Sequence, residues 1–302
     1  MTDIKQPGAT AFAVTAPVGD TAVGASSTRR RDRVQSVAIW TGAALATAIV
    51  LLALVFHAQG GRWFIVETPS MGTVAPVGTL VLTTPVEAAD VHVGDIITFH
   101  PPTEPKAVYT HRVVSITARG IATRGDINGA TDPWSLGQTA LIGKATAIVP
   151  ALGWLIRGLP ILLVGTAFVL LATRLIANPS RRVSYRILGF SMLASLTVYV
   201  LKPFVGLVVL TTTPTAHGAS AQVVSTGLLP ISVSAKGGTS VDLVAGQVGT
   251  VSAKTADLGH YSLSSGLHLT LPEWILFAAI CAIPLLWTFV VGLPPETDDA
   301  AE

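Results

Sequence analysis

Four long apolar runs divide the chain, with polar or strand-like segments between them. Residues 34–56 carry no charged side chain, and at about 1.5 Å per residue they are long enough to cross a hydrocarbon core of about 30 Å. The runs at 151–173 and 187–210 contain one basic residue each, and the run at 274–293 contains none. The pattern therefore predicts four transmembrane helices. The first is also longer than the apolar region of a cleaved leader, about 7 to 15 residues, which favours an uncleaved anchor.

The ends of the chain and the breaks within the runs refine this picture. Residues 1–28 consist mainly of small residues without helical or strand periodicity, so we expect a disordered cytoplasmic tail. Lys202 and Pro203 mark either a kink in the third run or its outer end, and Pro284 predicts a kink in the fourth. Residues 294–302 form an acidic tail.

The segments between the apolar runs have the short, punctuated pattern of β-strands. Residues 57–150 predict an all-β domain, from the runs "RWFIV", "TLVLTTPV", "DIITFHPP", "AVYTHRVVSIT", "GIATRGD" and "ALIGKATAIV". Residues 211–272 predict a second, smaller β-rich domain, from "AQVVSTG", "LLPISVSA", "TSVDLVAG" and "GTVSAK". The second segment offers no catalytic set of side chains.

Composition supports a membrane protein and excludes several other classes. Hydrophobic residues make up 50% of the 302 residues and charged residues only 12%, which is too apolar for a soluble protein of this length. The net charge of +2 gives no basic excess for nucleic acid. Cys281 is the only cysteine, and no cluster with metal-ligand spacing is present, so we expect neither a disulfide nor a metal or other cofactor.

The arginines predict the orientation in the membrane. Basic residues collect in cytoplasmic loops, and here they flank the first run and fill the connection between the second and third. They are Arg29, Arg30, Arg31 and Arg33, and then Arg174, Arg181, Arg182 and Arg186. With four spans, both β-rich segments would then lie outside the cytoplasmic membrane, and the acidic tail would lie inside.

Three stretches of the first β-rich segment contain the side chains of a serine nucleophile system. Ser70 lies in "TPSMG", His111 in "VYTHRVV", and Asp126 and Asp132 in "RGDINGATDPW". A serine hydroxyl needs a base to take its proton and a third group to hold that base in the right tautomer. Either aspartate could hold His111, while Asp126, directly after Gly125, could equally be a turn residue.

In order and spacing these stretches resemble signal peptidase I of the archaeal and endoplasmic-reticulum type. Ser70 and Met71 match the nucleophile box, with Gly78 eight residues after the serine. "GDIITF" resembles the following strand box, and "THRVV" places His111 where the common bacterial enzymes carry lysine. "RGDINGATD" resembles the closing box, in which a Gly-Asp pair precedes the second aspartate. The match covers roughly residues 60 to 150.

The resemblance implies a role for each matching residue. Ser70 would be the nucleophile, His111 the general base and Asp132 the residue that orients it. Thr68 would assist the Ser70 backbone N–H in an oxyanion hole, and Met71 would contact the substrate. The chain departs from the family at Pro69, Thr73 and Thr79, where the family commonly has Gly, Pro and Asp.

The expected function is that of a serine endopeptidase that removes signal peptides at the outer face of the cytoplasmic membrane. Its partners would be precursor proteins with Ala-x-Ala-like cleavage sites, the lipid bilayer and the secretion machinery, with no nucleic acid. Only 13 residues separate Phe56 from Ser70, so the site would be held near the lipid surface. Two alternatives remain: a peptidase dedicated to a narrow set of exported proteins, and a non-catalytic membrane scaffold.

Overall fold

A computed structural model describes residues 21–215, 218–254, 260–279 and 282 of the chain. These residues fall into two compact units that divide after Gln59. In the first unit the backbone is a single helix, α1 (Thr21–Ala58), of 38 residues. Its apolar part, Trp40–Ala58, is long and apolar enough to cross a membrane. The predicted disordered tail is therefore too long, because its last eight residues belong to this helix; residues 1–20 lie outside the described part.

The second unit begins with a six-stranded antiparallel sheet in the order β1-β2-β6-β3-β4-β5. Apolar side chains on one face, from Ile97 and Phe99 in β3, Val113 in β4 and Ile121 in β5, form its buried core. All six predicted strand runs are confirmed. The strands are β1 (Arg62–Ile65), β2 (Leu80–Thr84), β3 (Ile96–Phe99), β4 (Tyr109–Thr117), β5 (Gly120–Arg124) and β6 (Leu141–Val149).

Two antiparallel helices follow, α2 (Leu152–Arg174) and α3 (Pro179–Leu201). Each has the length and apolarity needed to cross a membrane. They pack closely because Gly165 faces Leu193 and Gly189 faces Val169, positions at which a larger side chain would separate the helices. The described residues thus contain three helices that could span a bilayer.

The predicted third span, 187–210, is displaced from α3 by about two turns. Asn178 caps the start of α3 by accepting hydrogen bonds from the Ser180 and Arg181 backbone N–H groups. Lys202 adopts a left-handed conformation, with φ of 47°, directly after the helix. Lys202 and Pro203 therefore mark an end and not a kink. Arg181, Arg182 and Arg186 consequently lie in the helix and not in the connection.

A second β domain follows α3 and consists of two three-stranded antiparallel sheets, β10-β9-β12 and β11-β8-β7. Val223 and Val251 from one sheet and Ile231, Val233 and Leu243 from the other form a common core. The strands are β7 (Leu207–Thr215), β8 (Gly218–Ser225), β9 (Ile231–Ala235), β10 (Ser240–Leu243), β11 (Val248–Ala253) and β12 (Leu263–Leu267). The predicted β-rich segment is confirmed, but it begins at residue 207 instead of 211.

The predicted fourth span falls largely outside the described residues. The backbone is helical over residues 271–279, which includes the start of that span. Apart from residue 282, the rest of that span, with Cys281 and Pro284, lies outside the described residues, and so does the acidic tail at 294–302.

Candidate active site

Ser70 lies in a single turn of 3₁₀ helix, Pro69–Met71, between β1 and β2. Thr68 is extended, with φ of −119° and ψ of 152°, and Pro69 provides a φ suited to the first helical position. Gly72 ends the turn at φ of 55° and ψ of −136°, a conformation that is open only to glycine in practice. This turn leaves Ser70 half-buried at the surface.

His111 lies in β4, which pairs with β3 on one side and β5 on the other. Its side chain points to the same face as Val113, because alternate residues of a strand share a face. The imidazole packs against the rings of Phe99 and Tyr109, with centroid distances of 6.2 and 5.7 Å. The side chain is only 7% exposed, so these neighbours hold the ring in one position.

A continuous series of hydrogen bonds joins Ser70, His111 and Asp132. Ser70 Oγ lies 3.1 Å from His111 Nε2, and His111 Nδ1 lies 2.7 Å from Asp132 Oδ2. A carboxylate only accepts hydrogen bonds, so the Nδ1 nitrogen is the one that carries the proton. Nε2 then presents its lone pair to the serine hydroxyl, which is the arrangement a general base requires.

Thr123 holds the Asp132 carboxylate from the other side. Its hydroxyl donates to Oδ2 at 2.6 Å, and its backbone carbonyl accepts from the Asp132 N–H at 2.8 Å. Thr123 is fully buried, and the Asp132 side chain is 7% exposed. The carboxylate is therefore fixed in position before any substrate is present.

Asp126 has a different partner. It forms a bidentate ion pair with Arg112, at 2.8 Å to Nε and 2.7 Å to Nη2, and Arg112 also donates to the Gly94 carbonyl. The hydrogen bond to Asp126 raises the pKa of Arg112 above its usual value, although partial burial acts in the opposite direction. Of the two aspartates that the sequence left open, the structure thus brings Asp132 to His111 and Asp126 to Arg112.

The backbone of the closing box packs directly on Ser70. The Ile127 N–H donates to the Ser70 carbonyl at 3.0 Å. A Cβ built on Gly125 would lie 2.8 Å from the Ser70 carbonyl oxygen and 2.9 Å from Ser70 Cβ. Only glycine allows this approach, which explains the glycine at position 125.

The other predicted site residues lie close by but differ in exposure. Thr68 Oγ1 is 3.5 Å from Ser70 Oγ, at the outer limit of hydrogen bonding. The Met71 side chain is 1% exposed. It therefore packs beneath the turn and offers no side-chain surface to a substrate in this conformation, in contrast to the predicted substrate contact.

The segments on either side of Ser70 contact the start of α2 through the Glu67 and Trp154 side chains. Glu67 forms an ion pair with Arg157, and Arg157 lies over the Trp154 ring at 5.8 Å. The Trp154 indole N–H donates to the Val77 carbonyl at 3.2 Å. The site therefore lies near the N-terminal end of a helix that could cross a bilayer.

Sequence reasoning missed Thr123 and the aromatic pair Phe99 and Tyr109. Thr123 is an ordinary inward-facing strand residue by its pattern, so no sequence signal identified it as a partner of Asp132. Among the described residues, no group of three or more His, Cys, Asp and Glu side chains could hold a metal ion. No protein-family model and no curated protein matches the chain.

Proposed function

We propose that this chain is a membrane-bound serine endopeptidase that removes signal peptides from exported precursors at the outer face of the cytoplasmic membrane. The observation that carries the proposal is the hydrogen-bonded series from Ser70 through His111 to Asp132. The order of the motifs along the chain and the presence of helices that could span a bilayer give it further support.

In the acylation step, Ser70 Oγ attacks the carbonyl carbon of the scissile peptide bond while His111 Nε2 accepts the hydroxyl proton. The ionised Asp132 stabilises the resulting imidazolium without taking its proton. The Ser70 backbone N–H, with the Thr68 hydroxyl beside it, is the proposed donor pair for the oxyanion of the tetrahedral intermediate. The protonated His111 then gives its proton to the leaving amine, and an acyl-enzyme remains on Ser70.

In the deacylation step, a water molecule takes the place of the leaving peptide. His111 Nε2 accepts a proton from this water as its oxygen attacks the acyl carbon, and the second tetrahedral intermediate collapses with return of that proton to Ser70 Oγ. The new carboxyl terminus of the signal peptide is released. Apart from the substrate and this water, both steps use only groups of the chain itself.

The position of the site suits a substrate that is itself held in the membrane. The cleavage site of a signal peptide follows an apolar helix, so it emerges at the lipid surface. Glu67, three residues before Ser70, forms an ion pair with Arg157 in the second turn of α2. If α2 crosses the bilayer, Ser70 lies close to the surface where such a cleavage site emerges.

Purified protein in detergent, incubated with a precursor carrying an Ala-x-Ala cleavage site, tests the proposal. The wild-type chain should release the signal peptide, while Ser70→Ala and His111→Ala should lose cleavage almost completely, because acyl transfer needs both groups. Matched controls are Ser115→Ala and His92→Ala, at exposed positions away from the hydrogen-bonded series. Wild-type cleavage rates in either active-site variant would overturn the proposal.

The narrower alternative, a peptidase dedicated to a few exported proteins, is favoured by one observation. The second β domain reaches the loop that follows Ser70, where Gly246 lies against Gly72. A domain in that position can restrict which precursors enter. Comparison of cleavage across a panel of unrelated precursors distinguishes the two peptidases, and no cleavage of any precursor favours the scaffold.

A further inference from the structure

The turn between β10 and β11, residues 244–247, lies against the loop that follows the Ser70 turn. A Cβ built on Gly246 would overlap the Gly72 carbonyl and lie 2.9 Å from the Thr73 nitrogen. Gly246 also has φ of 75°, a region that other residues rarely adopt. The two backbones therefore touch, and Gly246 cannot carry a larger residue without displacing Gly72.

The β10–β11 turn is itself held firmly in the second β domain. The Gly246 N–H donates to the Ser225 carbonyl at 2.8 Å, and the Ser225 N–H donates to the Gln247 carbonyl at 3.1 Å. The Gln247 side chain accepts from the Val244 N–H at 3.0 Å, while the Gln247 N–H donates to the Val244 carbonyl. These bonds close the turn on itself and on β8, so it presents a rigid surface to Gly72.

The nucleophile turn is consequently bounded by two rigid elements. On one side the closing box touches Ser70 through Gly125 and Ile127. Beyond Ser70, the Ile127 side chain occupies the space where Gly72 would carry a Cβ, and Gly246 approaches the carbonyl of the same glycine. Gly72 thus lies between the six-stranded sheet and the second β domain, one residue after the buried Met71.

We propose that the second β domain is part of the catalytic unit, and that Gly246 is a positioning residue that holds the nucleophile turn through Gly72. This inference rests on the proposed peptidase function. It assigns a role to residues 207–267, which the sequence left without one: through the contact of Gly246 with Gly72 they hold the turn that carries Ser70, and with it the distance between Ser70 and His111.

Gly246→Ala tests the role, with Gly237→Ala as the matched control. Gly237 has φ of 69° and lies in the turn at the other end of β10, so alanine there imposes a similar backbone strain on the same domain away from Gly72. We expect Gly246→Ala to lower kcat at least tenfold with little change in KM, since a displacement of about 1 Å in an active site can cost about 10²-fold. Gly237→Ala should keep kcat near the wild-type value.

Equal kcat values for the two variants would overturn the inference while leaving the peptidase intact, whereas lack of cleavage by the wild-type chain would overturn the proposed function.

Thiol cross-linking provides a test that does not depend on the folding of Gly246→Ala. In a Cys281→Ser background, Thr73→Cys with Ala245→Cys should be joined by a short bifunctional reagent in the full chain, and the joined enzyme should retain cleavage. Thr73→Cys with Ser240→Cys, at the far end of β10, should not be joined. Failure to join the first pair, or loss of cleavage specifically on joining it, would show that the contact is absent from the active enzyme and would overturn the inference.

Discussion

At the residue scale, the choice between the two aspartates follows from the geometry of a single strand. His111 and Arg112 are consecutive in β4, so their side chains point to opposite faces of the sheet. Asp132 meets His111 on one face, and Asp126 meets Arg112 on the other. Each carboxylate therefore binds its own partner. For the two to exchange roles, the chain between Asp126 and Asp132 would have to cross the edge of the sheet.

This division predicts unequal effects for two matched substitutions. Asp132→Asn should lower kcat by roughly 10³- to 10⁴-fold, because an amide can donate to Nδ1 and favour the wrong imidazole tautomer. Asp126→Asn should retain most of the activity, since it alters only a partly exposed ion pair with Arg112. Steady-state kinetics with a short Ala-x-Ala peptide would check both. An inactive Asp126→Asn beside a fully active Asp132→Asn would reverse the assignment of the third residue.

The candidate site residues could be predicted from the sequence, but the side chains that surround them could not. Motifs indicated Ser70, His111 and both aspartates, because the order of the motifs can be read directly along the chain. Spacing alone could not decide between Asp126 and Asp132, because it does not reveal which face of β4 each loop approaches. Thr123 and the burial of Met71 depend on contacts distant in sequence, so no local pattern indicated them.

At the element scale, an ion pair ties the start of β3 to β6 and should make the sheet sensitive to acid. Lys144 Nζ lies 2.7 Å from Asp95 Oδ1, and the His92 N–H donates to the other carboxylate oxygen at 2.9 Å. Burial raises the pKa of Asp95, but the hydrogen bonds from Lys144 and His92 outweigh it, so the pKa lies below its ordinary value of 3.8. The folded state therefore favours the ionised carboxylate.

The sign of this shift predicts the pH dependence of Asp95→Asn. A lowered carboxyl pKa stabilises the fold above the ordinary value of 3.8, and the stabilisation is lost as the pH falls through the lower, folded-state value. Asp95→Asn should therefore lower the unfolding temperature at neutral pH, and the difference from wild type should vanish in strong acid. Tryptophan fluorescence during heating at several pH values would measure it. Asp90→Asn, at an exposed position, is the control, and a pH-independent deficit for Asp95→Asn would contradict the prediction.

Secondary structure was predictable where turn residues bound short apolar runs. The six strands of the first sheet were predicted from short β-like runs separated by Gly, Pro and Asp, residues that end strands. The third apolar run failed because residues 207–210, "LVVL", extend the hydropathy of α3 although they begin β7. A continuous apolar run has no period that separates helix from strand, and only Lys202 and Pro203 marked the boundary.

At the scale of the whole molecule, the helix pair determines where the two β domains lie. α2 begins three residues after β6 ends, and β7 begins six residues after α3 ends. Because α2 and α3 are antiparallel and adjacent, both β domains lie at the same end of the pair. The contact between Gly72 and Gly246 agrees with this arrangement. If the pair crosses a bilayer, the short connection between the helices lies on the side opposite to both β domains.

The charge around that connection predicts which side is the cytoplasm. Arg174, Arg181, Arg182 and Arg186 all lie near the connected ends of α2 and α3, and basic residues near span ends favour the cytoplasmic side. In a Cys281→Ser background, a membrane-impermeant thiol reagent should label Ala177→Cys in the connection only after the cytoplasmic face is opened. It should label Ser240→Cys in the second β domain of intact cells, because that domain would then lie outside with Ser70.

Labelling of both cysteines from the same side would contradict the crossing of α2 and α3. Labelling with the sides exchanged would place the Ser70 site in the cytoplasm, where it could not meet the cleavage site of an exported precursor.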